Sequence, residues 1–75
     1  MTVLFFGSLA EITGNAEVEF EFCDSTDKLK EQIFNRFPGI KNQNFKIALN
    51  HEVVNGNETI RAGDELALLA PFAGG

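Results

Sequence analysis

Hydrophobic positions fall along the chain in distinct rhythms. Thr2-Val3-Leu4-Phe5-Phe6 is a continuous β-branched and aromatic run closed by Gly7, which predicts a strand out of water on both faces. Ser8 to Gly14 carries Leu9 and Ile12 three apart, enough for about one helical turn and too short to stand alone. From Glu17 to Phe22 the pattern alternates strictly, with Val18, Phe20 and Phe22 on one side and Glu17, Glu19 and Glu21 on the other. That predicts a second strand with one wet face. Leu29, Ile33 and Phe37 then recur every four residues behind the N-cap candidates Asp24, Ser25 and Thr26 and the dipole-favoured Asp27. A helix over about 26–37 follows. Pro38-Gly39 ends it, and polar Lys41 to Asn44 reads as a short linker. Phe45 to Leu49 alternates again, and Asn50-His51 predicts a tight turn into a short strand, Glu52-Val53-Val54. Asn55-Gly56-Asn57 and Ala62-Gly63-Asp64 are further turn signals. Glu65 to Ala70 makes the last strand, and Pro71 forbids further ladder pairing.

The resulting order is strand, strand, helix, strand, short strand, strand, an α+β architecture in which one main helix packs on a mixed sheet. Strand one and the last strand, Leu66-Ala67-Leu68-Leu69-Ala70, are unbroken apolar runs, as expected of central strands. One helix covers only one face of that sheet. If Val3, Phe5, Leu66 and Leu68 meet the helix, then Leu4, Phe6, Ala67 and Leu69 form an uncovered apolar patch, extended by Val53 or Val54; with the opposite parity the two sets exchange roles. Either way an apolar face is left without cover, and such faces mark partner sites.

Composition narrows the function classes. Seventy-five residues allow one small domain. With 6 Lys plus Arg against 11 Asp plus Glu the net charge is −5, which repels phosphate backbones and anionic lipids, so neither nucleic acid nor membrane is an expected partner. Hydrophobic residues at 44% and charged ones at 23% are a globular mixture, and eight Phe supply the bulk a short domain needs for its core. The one cysteine, Cys23, excludes an internal disulfide, and with the single His51 it cannot close a zinc site. Cys23 has no Lys, Arg or His beside it in sequence and is read as structural, and His51 as a turn residue. The Glu17, Glu19 and Glu21 row lacks the enclosing oxygen geometry of a calcium site, and the glycines fit no phosphate-loop spacing, so no bound metal or ATP is expected. The apolar run from Val3 stops at Gly7 with no basic segment before it, which predicts no signal peptide and a cytoplasmic location.

The end of the chain, Ala70-Pro71-Phe72-Ala73-Gly74-Gly75, stands out. Pro71 is expected to free the tail from the sheet, so residues 1–71 are the domain and 72–75 an extended, flexible functional tail. About four residues reach at most ~14 Å, enough to enter a narrow pocket on another protein. Glycines let the backbone pass where a Cβ would collide. The group delivered is the α-carboxylate of Gly75.

With these residues in view, the chain resembles the ubiquitin-like β-grasp sulfur carriers, and among them the molybdopterin synthase small-subunit family. The resemblance runs nearly end to end and rests on VLFFGSLAEITG, IALNHEVV and AGDELALLAPFAGG. The helical turn between the first two strands separates it from the thiamine-type carriers, whose first hairpin is direct. Members often carry two prolines at the place of Ala70-Pro71, a smaller residue than Phe72, and Ser or Thr at Ala73. The resemblance implies a ubiquitin-like β-grasp fold and a sulfur-donating, non-catalytic subunit of a sulfurtransferase. A partner activating enzyme, using ATP and magnesium, adenylates Gly75, and a persulfide donor converts the adenylate to a thiocarboxylate. The tail, Pro71, Phe72, Ala73 and Gly74, then enters the large synthase subunit, which carries the catalytic side chains. There sulfur passes to cyclic pyranopterin monophosphate in molybdenum cofactor biosynthesis, in an assembly resembling a heterotetramer. Leu4, Phe6, Val53, Val54, Ala67 and Leu69 are the expected partner interface. A carrier for thiamine or cysteine synthesis, or a non-catalytic ubiquitin-like binding module or modifier, are the alternatives.

Overall fold

The computed structural model describes residues 1–70. Strand β1 (Thr2–Phe5) leads through the six-residue helix α1 (Ser8–Thr13) into strand β2 (Glu17–Glu19). Helix α2 (Thr26–Arg36) and a 3₁₀ segment (Pro38–Asn42) follow, then strands β3 (Lys46–Leu49), β4 (Glu52–Val54) and β5 (Leu66–Leu69). The strands form one five-stranded sheet in the order β2-β1-β5-β3-β4. β1 and β5 run parallel at its centre, and the other neighbours are antiparallel. The two continuous apolar runs of the sequence are therefore the central strands, as their pattern predicts, and the architecture is the ubiquitin-like β-grasp.

Register decides which side chains meet α2. Ile47 lies opposite Leu68, and Leu68 opposite Phe5, so these three share a face with Val3 and Leu66. Phe5 is 2% exposed, and Val3, Leu66 and Leu68 are fully buried against Leu29 and Ile33 of α2. The rings of Phe5 and Phe37 meet edge to face at 6.0 Å, as do those of Phe34 and Phe45, a favoured arrangement for aromatic quadrupoles. Leu29→Ala is expected to destabilise the domain by about 2–5 kcal/mol in urea unfolding. That is a large share of the roughly 4–11 kcal/mol a chain of this length holds.

Helix α2 starts where its capping residues allow. The Ser25 hydroxyl accepts the Lys28 N–H at 3.3 Å, and Asn57 Oδ1 accepts the Asp27 N–H at 3.0 Å. Thr26, fully buried, accepts the Glu58 N–H at 2.9 Å. The turn after β4 thus helps cap a helix thirty residues earlier, a tie invisible to local pattern.

Two expectations change. The second strand ends at Glu19, well before Phe22. The Phe20 N–H still reaches the Met1 carbonyl at 2.8 Å, but among the described residues no strand lies opposite Glu21 and Phe22, so nothing enforces the alternation. Phe22 leaves the core side and is 55% exposed. The stretch after Pro38-Gly39, in turn, is more than a linker: Ile40 in the 3₁₀ segment is fully buried.

Candidate functional site

On the sheet face away from α2, the ladders align one cross-strand row. Leu4 lies opposite Ala67, Ala67 opposite Ala48, and Ala48 opposite Val53. Two small alanines between larger apolar neighbours leave a groove of about 260 Å³, lined by Leu4, Phe6, Ala48, Ala67 and Leu69 with His51 and Glu65. Phe6 is 48% and Val53 49% exposed, high values for large apolar side chains. The patch expected from sequence is therefore the set Leu4, Phe6, Ala67 and Leu69. Val53 lies on the same side at the sheet edge. Val54, opposite Ile47, turns instead to the core.

The groove ends at the root of the C-terminal segment. The Phe6 N–H donates to the Leu68 carbonyl at 3.0 Å, after which Gly7 turns the backbone at φ 61°, a left-handed conformation that favours glycine. A Cβ built on Gly7 would sit 3.6 Å from the Cβ of Ala70, so the last described residue lies against the start of α1, beside Phe6. Pro71, Phe72, Ala73, Gly74 and Gly75 lie outside the described residues.

Sequence reading missed Ala48, His51 and Glu65 as parts of this groove. Ala48 was legible in principle, since Ile47 and Leu49 inward place it outward. His51 and Glu65 are brought together only by the β3–β5 pairing, with His51 Nε2 3.3 Å from Glu65 Oε2. Their turn is braced by Asn50, whose positive φ of 52° suits asparagine. Asn50 Oδ1 accepts the Glu65 N–H at 2.9 Å, and its Nδ2 donates to Asp64 Oδ1 at 3.1 Å. The Arg61 N–H donates to Asp64 Oδ2 at 2.7 Å. These bonds, Arg61's first and Asn50's second, hold the Asp64 carboxyl below the usual aspartate range. A lowered folded pKa contributes stability that is fully present above the unfolded aspartate pKa and is lost as pH falls through the folded value. Asn50→Gly, which keeps the turn conformation and deletes the side chain, should move the Asp64 titration part of the way back up, read by carboxyl NMR. An unmoved titration would show that Asn50 does not support the charged form.

A larger cleft of about 580 Å³ continues along the same face, sharing Leu4 and Glu65 with the groove and walled by Phe22 and Arg61. Of the expected glutamate row, Glu19 is engaged by the Met1 ammonium at 2.6 Å and by the Thr2 hydroxyl. Those bonds lower its pKa, the ammonium's most of all. Cys23 is half-buried, its Sγ 3.7 Å from the Ser25 carbonyl. The Lys28 ammonium is held by Asp24 at 3.0 Å, the main cause of the raised Lys28 pKa. Among the described residues no helix is long and apolar enough to cross a membrane.

The ThiS family matches residues 3–75 of this sequence. The chain belongs to the ThiS family. Among relatives of this ThiS-family protein, a molybdopterin synthase sulfur carrier subunit from Chlamydomonas reinhardtii is 34% identical over 79 residues, covering 97% of this chain and 95% of its own. A Pyrococcus furiosus protein assigned as subunit 1 of molybdopterin converting factor superposes with a TM-score of 0.85 at 23% identity, covering 95% of each chain. SAMP1 from Haloferax volcanii superposes at 0.79 with 23% identity over 99% of this chain and 97% of its own; these two likenesses speak for the fold. The structure of a complex of subunits 1 and 2 of molybdopterin-converting factor from Helicobacter pylori also contains a chain like this one. Its TM-score is 0.70 and its identity 27%, over 99% of this chain and 96% of that one.

Proposed function

We propose that this ThiS-family protein is a sulfur carrier acting as the small subunit of molybdopterin synthase. The observation that carries the reading is the similarity, over nearly the whole of both chains, to a molybdopterin synthase sulfur carrier subunit. Two features support it. Helix α1 stands between β1 and β2, where the molybdopterin-type carriers differ from the thiamine type. The apolar groove lies at the root of residues 71–75, where a partner handling the tail would grip the domain.

A carboxylate is a poor electrophile because its oxygen leaves badly. An activating enzyme therefore transfers AMP from ATP to the Gly75 carboxylate and releases pyrophosphate, creating a good leaving group. The terminal sulfur of a persulfide on the donor then attacks the carbonyl carbon and displaces AMP. Thiol cleavage of the resulting S–S bond leaves the thiocarboxylate, a polarizable nucleophile at neutral pH. Delivered into the large subunit by Pro71, Phe72, Ala73 and Gly74, that sulfur attacks cyclic pyranopterin monophosphate. A dithiolene holds two sulfurs, so each product consumes two loaded carriers. The carrier contributes the reacting terminus and the docking groove, and the large subunit supplies the acid–base groups.

The test is reconstitution with activating enzyme, ATP, magnesium, a persulfide donor and the large subunit, followed by detection of dithiolene product and by intact mass of the carrier. Sulfur loading followed by product supports the proposal. Loading with no product on the pyranopterin substrate would instead assign the carrier to another pathway, and isopeptide conjugates in cells would make it a modifier. In the same assay Cys23→Ser should load and deliver sulfur at near wild-type rate, since the half-buried thiol faces a backbone carbonyl. A folded Cys23→Ser protein that yields no product would give the thiol a chemical role.

A further inference from the structure

Of the asparagines in this protein, Asn55 alone precedes a glycine, and its surroundings differ from those of the asparagines in neighbouring turns. Asn50 holds Asp64 and the Glu65 N–H with its side chain, Asn57 caps α2 through the Asp27 N–H, and Asn15 donates to the Thr13 carbonyl. Among the described residues the Asn55 side chain makes no such bond, and the Gly56 N–H has no backbone acceptor. Both residues are exposed. Gly56 has φ 88° with open space where a Cβ would stand, so no side chain shields the Gly56 nitrogen from the Asn55 carboxamide. The cleft that Asn55 and Gly56 line also holds Lys30 and Lys46, and no carboxylate lines it. Cationic neighbours favour the negative charge that develops when an amide nitrogen loses its proton and attacks a carbonyl.

We infer that Asn55-Gly56 is a site of spontaneous deamidation. The Gly56 nitrogen, giving up its proton, attacks Asn55 Cγ; the bond from Cγ to Nδ2 breaks and ammonia leaves, closing a succinimide. One water opens the ring at either carbonyl, giving aspartate or isoaspartate. The sum is exchange of ammonia for water, with no oxidant or reductant. The isoaspartate form inserts one extra carbon into the backbone just before Gly56, whose carbonyl accepts the Thr26 hydroxyl at 3.4 Å. The following residues, Asn57 and Glu58, bond to the Asp27 N–H and the buried Thr26 hydroxyl. Isoaspartate at this turn therefore loosens the N-terminus of α2, whereas aspartate, with an unchanged backbone, leaves the cap in place. The inference is independent of the sulfur-carrier reading.

The test is incubation of the full-length protein at mildly alkaline pH, with charge-resolved separation, intact mass and peptide mapping over time. An acidic species accumulates with the mass of an amide-to-acid exchange, maps to residues 55–56, and forms faster as pH rises. Asn55→Gln eliminates it. The isolated isoaspartate species should melt roughly 4–8 °C below fresh protein, the size of a lost helix cap in a domain this small, while Asn55→Asp melts close to wild type. An acidic species that maps to another asparagine, or that Asn55→Gln forms at an undiminished rate, overturns the proposal. An isoaspartate species with unchanged melting overturns its structural consequence.

Discussion

Removing Gly75, or appending one residue to it, should abolish the proposed thiocarboxylate formation while leaving thermal unfolding nearly unchanged. The two halves of this expectation have separate causes. On the proposed mechanism, loading requires a free carboxylate at the end of a backbone narrow enough to enter the activating site. An appended residue turns the Gly75 carboxylate into an amide, and a deletion draws the terminus back by one residue, about 3.5 Å. Stability, by contrast, is expected to come from the core of the domain. Among the described residues the buried apolar set runs from Val3 to Leu68. Intact mass after reconstitution reads the first half and calorimetry the second. Normal sulfur loading of the extended protein would reject Gly75 as the reacting residue, and a large fall in melting temperature would mean the segment packs on the domain.

The second large effect concerns the groove. Phe6→Ser and Leu69→Ser should each weaken binding to the large subunit by about 2 kcal/mol, roughly thirtyfold in Kd, from the apolar area each would otherwise bury. Aromatic side chains at the centre of a docking surface carry a disproportionate share of binding. Phe6 is 48% exposed and Leu69 lies on the same outward face, so neither change opens a cavity in the core. Circular dichroism should remain native. Val54→Ser is the contrasting variant: Val54 packs toward Ile47, so its cost should appear in unfolding before it appears in binding. Unchanged affinity in both Phe6→Ser and Leu69→Ser, with the fold intact, would remove this face from the interface.

Much of this was open to reading because local pattern and global fold agree. The alternation of Phe45, Ile47 and Leu49, the four-residue recurrence of Leu29 and Ile33, and the turn residues at Asn50-His51 each have one natural conformation. The structure adopts it in every case. Where pattern failed, a distant partner was the deciding influence. Phe22 continues the alternation of Val18 and Phe20, yet without a strand beside it the backbone turns it outward. Ile40 follows a proline and a glycine that stop α2, but the 3₁₀ segment folds it into the core.

By itself the sequence determined which segments are strands and helix, that β1 and β5 are central, and that one sheet face is left apolar. These follow from side-chain periodicity and from one helix being too few to cover two faces. Only the tertiary structure decided which face that is. Val3 to Phe6 and Leu66 to Leu69 are apolar at every position, so their own pattern is the same for either parity. The choice is imposed across the ladder by β3, whose alternation commits Ile47 to α2 and, through the register, Leu68 and Phe5 with it. The same register sets Ala48 beside Ala67 to form the groove and brings His51 to Glu65. Pairing between strands far apart in sequence is long-range information, which no window of neighbouring residues contains.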